Sequence, residues 1–303
     1  MAELRFDGRV AVITGAGRGL GRAYALLLAS KGAKVVVNDI GAGIHDAHND
    51  AGPADDVVRE IKAAGGEAVA NTDSVATVEG GKAIIQCALD HYGSVDIVIP
   101  NAGNVRYGLL DEIPQADFEA VLDVHLHGAW NIVRPAFELM CKAGYGRIVL
   151  TSSISGLYGN ARCVNYAMSK TGMVGLNNVA AIEGADRGVK SNIILPAAVT
   201  RMSEGVDISQ FPPMDPDLVA AVVGWLSHED CSVSGEMYVS AAGRVARAYV
   251  AETQGVYQPA WTIDEIGQNI DAIRDPAESV TFEPAPAGMG EHLGYSFKMA
   301  SGG

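Results

Sequence analysis

At 303 residues with 48% apolar content, the chain can bury one sizeable core. A formal charge of −14 excludes nucleic acid and anionic membrane surfaces as main partners, and it is the charge of an ordinary solvated surface. Strands are predicted near 9–14, 33–39, 66–71, 95–100, 146–152, 189–195 and 236–239, with helices in most of the gaps. Alternation of that kind predicts an α/β fold: one doubly wound, seven-stranded parallel sheet over residues 1–245 with helices on both faces. A C-terminal extension over 246–303 follows.

At the amino end, GRVAVITGAGRGLGRAYALLLASKGAKVVVND reads strand, glycine turn, amphipathic helix, strand. Gly15, Gly19 and Gly21 form G-x-x-x-G-x-G, a turn that lets the backbone approach a pyrophosphate while the following helix offers free N–H groups to it. Asp39 ends the second strand, eighteen residues after Gly21. Its carboxylate can accept from both hydroxyls of an adenosine ribose and repels a 2′-phosphate, which predicts NAD over NADP. Arg18 inside the turn argues mildly the other way. The stretch from 41 to 53 is a polar loop whose His45, Asp46, His48 and Asp50 read as solvated, and no metal is expected.

Further along, GRIVLTSS reads as a buried strand that presents Ser153 at its carboxyl end, where open α/β sheets bind ligands. Tyr166 stands thirteen positions after Ser153, and Lys170 four after that. If this segment is helical, the tyrosine and the lysine share one face a turn apart. A phenol titrates near 10, so a tyrosine moving protons near neutral pH needs a cation that favours phenolate. Lys170 is expected to be that cation. The segment from 200 to 216 holds three prolines and follows a strand end, which makes it the expected substrate lid. In the extension, Trp261, Ile263, Ile266, Ile270 and Ile273 give a helical apolar stripe expected to pack on the body or on a partner subunit.

With TGAGRGLG (14–21), Asp73 in NTDSV, Asn101, Ala102 and Gly103 as NAG, Ser153, and Tyr166 with Lys170, the chain resembles the short-chain dehydrogenase/reductase family over roughly residues 6 to 245. A narrower resemblance is to its branch containing the dehydrogenase unit of peroxisomal multifunctional enzyme type 2 and bacterial relatives that act on steroid or acyl-CoA substrates. It is carried by VVVNDIG (35–41), GGEAVANTDSV (65–75), VHLHG (124–128), YGRIVLTSS (145–153), GLYGN (156–160) and AIEG (181–184). The resemblance implies that Asp73 binds adenine, that NAG braces the central strands, and that the cofactor-binding set extends to Leu20, Ser74, Tyr166, Lys170, Pro196 and Thr200. His125 stands where most of the family has asparagine, a departure shared with the branch, and is expected to relay the proton behind Lys170 while titrating near pH 6.5. Ala197 replaces a usual glycine, and Pro100 a usual asparagine.

Two classes of function fit these residues. One is an NAD-dependent dehydrogenase that oxidises a secondary alcohol, with 3-hydroxyacyl-CoA, possibly steroid-derived in its acyl group, as the expected substrate and a CoA-free hydroxysteroid as the alternative. The other is a cofactor-binding scaffold without chemistry, which the intact Ser153, Tyr166 and Lys170 set disfavours. The four cysteines, Cys87, Cys141, Cys163 and Cys231, form no C-x-x-C, so neither a disulfide framework nor a zinc site is indicated. A cytoplasmic homodimer or homotetramer is expected, since no leader, membrane span or peroxisomal address is read.

Overall fold

The computed structural model describes residues 3–41, 52–199 and 212–301. Its main sheet runs β3-β2-β1-β4-β5-β6-β7-β8. The first seven strands, β1 Val10–Thr14, β2 Lys34–Asn38, β3 Glu67–Asn71, β4 Ile97–Ile99, β5 Gly146–Thr151, β6 Val189–Ala197 and β7 Met237–Ala241, are parallel throughout. Alternation along each strand divides the core. Ala11, Ile13, Val35 and Val37 face helices α1 Gly19–Ser30, α2 Gly52–Ala63 and α8 Pro216–Ser227. Val10, Val12 and Val36 face α3 Val78–Tyr92, α5 Gly128–Ala143 and α7 Val164–Gly184. Burial on both faces explains why these strands read as continuous apolar runs. Strand order reverses between β1 and β4, which opens a crevice at their carboxyl ends.

The expected seven strands become eight. β8 Arg244–Ala248 pairs antiparallel with β7, so position 245 falls inside a strand rather than at a boundary. The turn joining them is Ala242-Gly243, with φ values of +48° and +81°. Both central residues therefore sit in the left-handed region that a two-residue hairpin requires. Alanine there gives no turn signal, and two arginines in RVARA obscure the strand.

Beyond β8 lie a two-stranded antiparallel ribbon, β9 Ala251–Thr253 with β10 Ser279–Thr281, and helices α9 Ile263–Ile273 and α10 Met289–Ala300. The apolar stripe of α9 is not packed on this chain, since Ile263 is 92%, Ile266 40% and Ile270 47% exposed. The helix holds instead by local bonds: Thr262 and Glu265 form a capping box at its start, and Thr253 Oγ1 donates to the Ile273 carbonyl at 2.6 Å.

At the amino ends of the strands, the buried Arg147 donates to the carbonyls of Gly146, Gly188, His228 and Glu229 over 2.8–3.3 Å. Its guanidinium also lies 4.5 Å from the Tyr145 ring centroid, with that of Arg9 at 3.6 Å. One side chain thus satisfies four carbonyls from three segments. Arg147→Met should cost about 2–4 kcal/mol, because the apolar replacement removes four bonds to carbonyls of which only some, such as those of Gly188 and His228, keep a backbone donor. Urea unfolding measures this, and an unchanged midpoint would show that the four bonds contribute no net stability.

Candidate active site

The end of β1 and the start of α1 form the first half of the site. Gly15 has φ +63°, and a Cβ there would come within 2.7 Å of the Ala102 Cα, so the turn can close on the NAG segment only without a side chain. Asn101 ties the halves together: its N–H donates to Thr14 Oγ1 at 3.0 Å, and its Nδ2 donates to the Thr14 and Gly15 carbonyls at 3.0 and 3.2 Å. Ala102 N–H donates to the same Thr14 hydroxyl at 3.1 Å. No side chain caps α1, whose preceding residue Arg18 is extended, so the N–H groups of its first turn remain available to an anion.

Asp39 is held on both oxygens, accepting from Gly17 N–H at 3.0 Å and from Gly41 N–H at 2.8 Å. On the neighbouring strand, Asn71 Nδ2 donates to the Asp73 carboxylate at 2.7 Å, and the buried Asn38 donates to the Asp73 carbonyl at 2.9 Å. Ser74 accepts from Ala76 N–H at 3.3 Å and so belongs to the same ordered turn. An uncapped helix start, a cradle closed to side chains and a carboxylate pinned beside it fit a dinucleotide.

The second half lies at the carboxyl end of β5. Ser153 begins the short helix α6 Ile154–Tyr158, its hydroxyl accepting from Ser155 N–H at 3.1 Å. The same hydroxyl bonds the Tyr166 phenol. Tyr166 and Lys170 sit one turn apart on α7 as the spacing predicts, with Lys170 Nζ 5.4 Å from the phenol ring centroid. Lys170 is buried, and its Nζ donates to the Thr151 carbonyl at 2.6 Å. Ser152 Oγ returns a bond to the Lys170 carbonyl at 2.6 Å, locking β5 to α7 from both sides.

Burial dominates both pKa values. It raises the Tyr166 phenol, opposed by the Ser153 hydrogen bond, and it brings the Lys170 ammonium down to about 7. The cation expected at 170 is therefore one that titrates, poised to exchange protons near neutrality.

His125 lies in a π-helical turn, Asp123–His127, wound between α4 Gln115–Leu122 and α5. The extra residue in that turn aims His125 inward, where it is buried and meets the Tyr166 ring edge-on at 5.1 Å. Its Nε2 is 2.8 Å from the Asn104 carbonyl and 3.1 Å from the Asn104 N–H, one of which it serves in each tautomer. Nδ1 has no partner among the described residues. Burial, reinforced by Lys170, holds His125 well below its ordinary value, which overturns the expected titration near pH 6.5. The ring is a neutral donor or acceptor. By contrast, His127 is exposed and pairs with Asp123 at 3.0 Å.

Pro196 lies on β6 opposite Ser240. Thr200, Arg201, most of the expected lid and the His45, Asp46, His48, Asp50 cluster lie outside the described residues. Sequence reasoning gave no individual role to several residues that wire the site: the Thr14 hydroxyl and Gly17 N–H within the glycine turn, and Asn38, Ser152 and Asn165. The last is fully buried beside Tyr166, donating to the Arg106 and Asp117 carbonyls at 3.2 Å each and accepting from Tyr166 N–H at 2.8 Å. The only signal available was a polar residue inside an otherwise core-facing pattern.

Residues 9–208 match the family model described as short chain dehydrogenase. The chain is 45% identical over 282 residues to peroxisomal multifunctional enzyme type 2 of Drosophila melanogaster, which covers 92% of this chain and 46% of that protein. It is 44% identical over 246 residues to the peroxisomal hydratase-dehydrogenase-epimerase of Saccharomyces cerevisiae, covering 80% of this chain and 27% of that protein. The chain thus spans less than half the length of either. A crystal structure of a short chain dehydrogenase from Mycobacterium avium matches with a TM-score of 0.79 at 38% identity, covering 90% of this chain and 98% of that one. No helix among the described residues is long and apolar enough to cross a membrane. A nicotinamide cofactor goes with this family and fold, and the chain belongs to the short-chain dehydrogenase family as an oxidoreductase of small-molecule substrates.

Proposed function

We propose that the chain is an NAD-dependent dehydrogenase of a bulky secondary alcohol. The observation that carries this reading is the meeting of Ser153, Tyr166 and a buried, titrating Lys170 at the carboxyl end of β5. Tyr166 takes the hydroxyl proton at its phenol oxygen, Ser153 holds the substrate oxygen against that phenol, and Lys170 shares the proton. Neutral His125 steadies the Tyr166 ring and offers Nδ1 as the next polar stop. The bound nicotinamide supplies the hydride acceptor. Gly15, Gly19, Leu20 and Gly21 would hold its pyrophosphate, Asp39 its adenosine ribose, and Asp73 with Ser74 its adenine. Ala102, Gly103, Pro196 and Lys170 would line the nicotinamide side.

Oxidation needs the tyrosine–lysine pair one proton short. Its rate therefore rises with pH through about 7, and the reverse reduction falls over the same range. Tyr166→Phe should lower kcat/KM by roughly 10² to 10⁴ and flatten that rise while cofactor binding persists. Near-normal turnover in this variant would sink the mechanism.

The preference for NAD rests on Asp39. Like charges about 4 Å apart near a protein surface repel by about 4 kcal/mol, more than the roughly 1.5–3 kcal/mol that one charged hydrogen bond from Arg18 returns. The wild-type enzyme should therefore show far higher kcat/KM with NAD than with NADP, and parity between the two would mean that Arg18 prevails.

For the substrate, a 3-hydroxyacyl-CoA thioester is the reading best supported. The yeast relative's name joins a hydratase, which makes a hydroxyl by adding water across a double bond, to a dehydrogenase that would consume it. Around the mouth, Tyr107 (55%), Leu110 (77%) and Tyr158 (79%) are apolar and open. Gly108 N–H donates to the Arg162 carbonyl at 2.9 Å, which brings the loops bearing Arg106 and Arg162 together and sets cations beside that surface. Arg244 opens β8 at the same sheet end. A cytoplasmic homo-oligomer fits the four free cysteines and the open α9 stripe. KM for a hydroxyacyl-CoA should rise with ionic strength and do so less steeply in Arg162→Ala. Salt-insensitive oxidation of a free hydroxysteroid with no thioester turnover would favour that class instead.

A further inference from the structure

Beside Asp39 lies a cleft of about 390 Å³ that begins at the glycine turn and runs between α1 and α2, where no step above uses Arg22, Asp56 or Glu60. Its walls carry two facing rows of charge. Arg18 and Arg22, one turn apart where α1 begins, form one wall, while Asp56 and Glu60, one turn apart on α2, form the other. Gly17 lines the cleft and donates its N–H to Asp39, so the cleft adjoins the carboxylate that faces the adenosine ribose. A 2′-phosphate on that ribose would project toward this space.

The cations are unequally committed. One terminal nitrogen of Arg22 donates to both oxygens of Glu60, at 2.6 and 2.8 Å. Asp56 is occupied by its own helix neighbour Arg59. With Arg22 paired to Glu60 and Asp56 to Arg59, Arg18 is the remaining positive charge among the described residues of these walls. A phosphate dianion is usually held by at least two cationic or N–H donors of matching geometry. Arg22 is placed to be the second, and Glu60 withholds it.

We infer that Glu60 is a cofactor-specificity residue, which acts by clasping Arg22 and so silences a latent 2′-phosphate subsite between α1 and α2. This deepens the NAD reading and rests on it for the position of the ribose. Asp39 repels the phosphate directly; Glu60 removes the group that would reward it. Replacing Asp39 alone should then leave NADP use incomplete, because Arg22 stays engaged, and releasing both controls should do more than the two single changes combined.

The test uses adenosine 2′,5′-bisphosphate and 5′-AMP as probes, titrated calorimetrically into the folded full-length protein, so that the readout is independent of turnover. Glu60→Gln keeps the size of the side chain and removes its charge. It should tighten bisphosphate binding about tenfold and leave 5′-AMP binding unchanged. Adding Arg22→Ala should cancel the gain, and Asp39→Asn with Glu60→Gln should exceed either alone. Three results would overturn the inference: no gain in Glu60→Gln, an equal gain for both probes, or a gain that survives Arg22→Ala. Failure of the NAD reading would show elsewhere, as wild-type protein that binds the bisphosphate as tightly as 5′-AMP, whereas the Glu60 inference is read from the change between variant and wild type.

Discussion

The site depends on burying the Lys170 amine against the Thr151 carbonyl. Water is excluded, so the ammonium loses its solvation and its pKa falls to about 7. A lysine on the surface of α7 would keep its proton at neutral pH and serve only as a point charge. Here burial brings its titration close to neutrality. That placement requires α7 to lie tightly on β5 and β6, which it does through reciprocal bonds: Lys170 Nζ to Thr151, Ser152 Oγ to Lys170, and Ser191 Oγ to Asn177 at 2.8 Å. Each joins a strand to the helix that carries the chemistry.

The same logic organises the strand ends. Loops at the carboxyl edge of a parallel sheet have no ladder to fix them, and here buried asparagine and threonine side chains do that work. Asn101 and Thr14 join β4 to β1 and its glycine turn. Asn38 joins β2 to the Asp73 turn. Asn165 joins α7 to the segments bearing Arg106 and Asp117. Without them the glycine turn, Asp39 and Tyr166 would be present but loosely aimed. His125 follows this pattern too: the π turn points it inward, the Asn104 backbone fixes its Nε2, and burial keeps it neutral.

Much of this was legible from sequence because it rests on short-range rules. The glycine turn needs glycine for steric reasons, the central strands β1, β2 and β4 are apolar on both faces, and Tyr166 and Lys170 share a helix face by spacing alone. What was not legible depends on tertiary context. The π turn at Asp123–His127 leaves no mark in VLDVHLHG, because one extra residue in a helical turn changes direction without changing composition. The hairpin into β8 uses alanine where glycine or asparagine would have signalled it. The lowered pKa of Lys170 was not legible because a residue's charge depends on burial, which sequence spacing does not report. The stripe on α9 shows the limit of pattern alone: a helical apolar pattern marks a face that can be buried without saying against what, and Ile263, Ile266 and Ile270 are open in this chain.

The titration of Lys170 itself tests the central claim most directly. In protein labelled with carbon-13 at the lysine Cε positions, and with Lys170→Arg to assign the signal, the Lys170 resonance should titrate with a midpoint at about 7. The same midpoint should appear in the pH dependence of alcohol oxidation. A Lys170 midpoint near the ordinary value of 10.5 would contradict the account, because the amine would then be a fixed charge beside Tyr166 and not its partner in moving the proton.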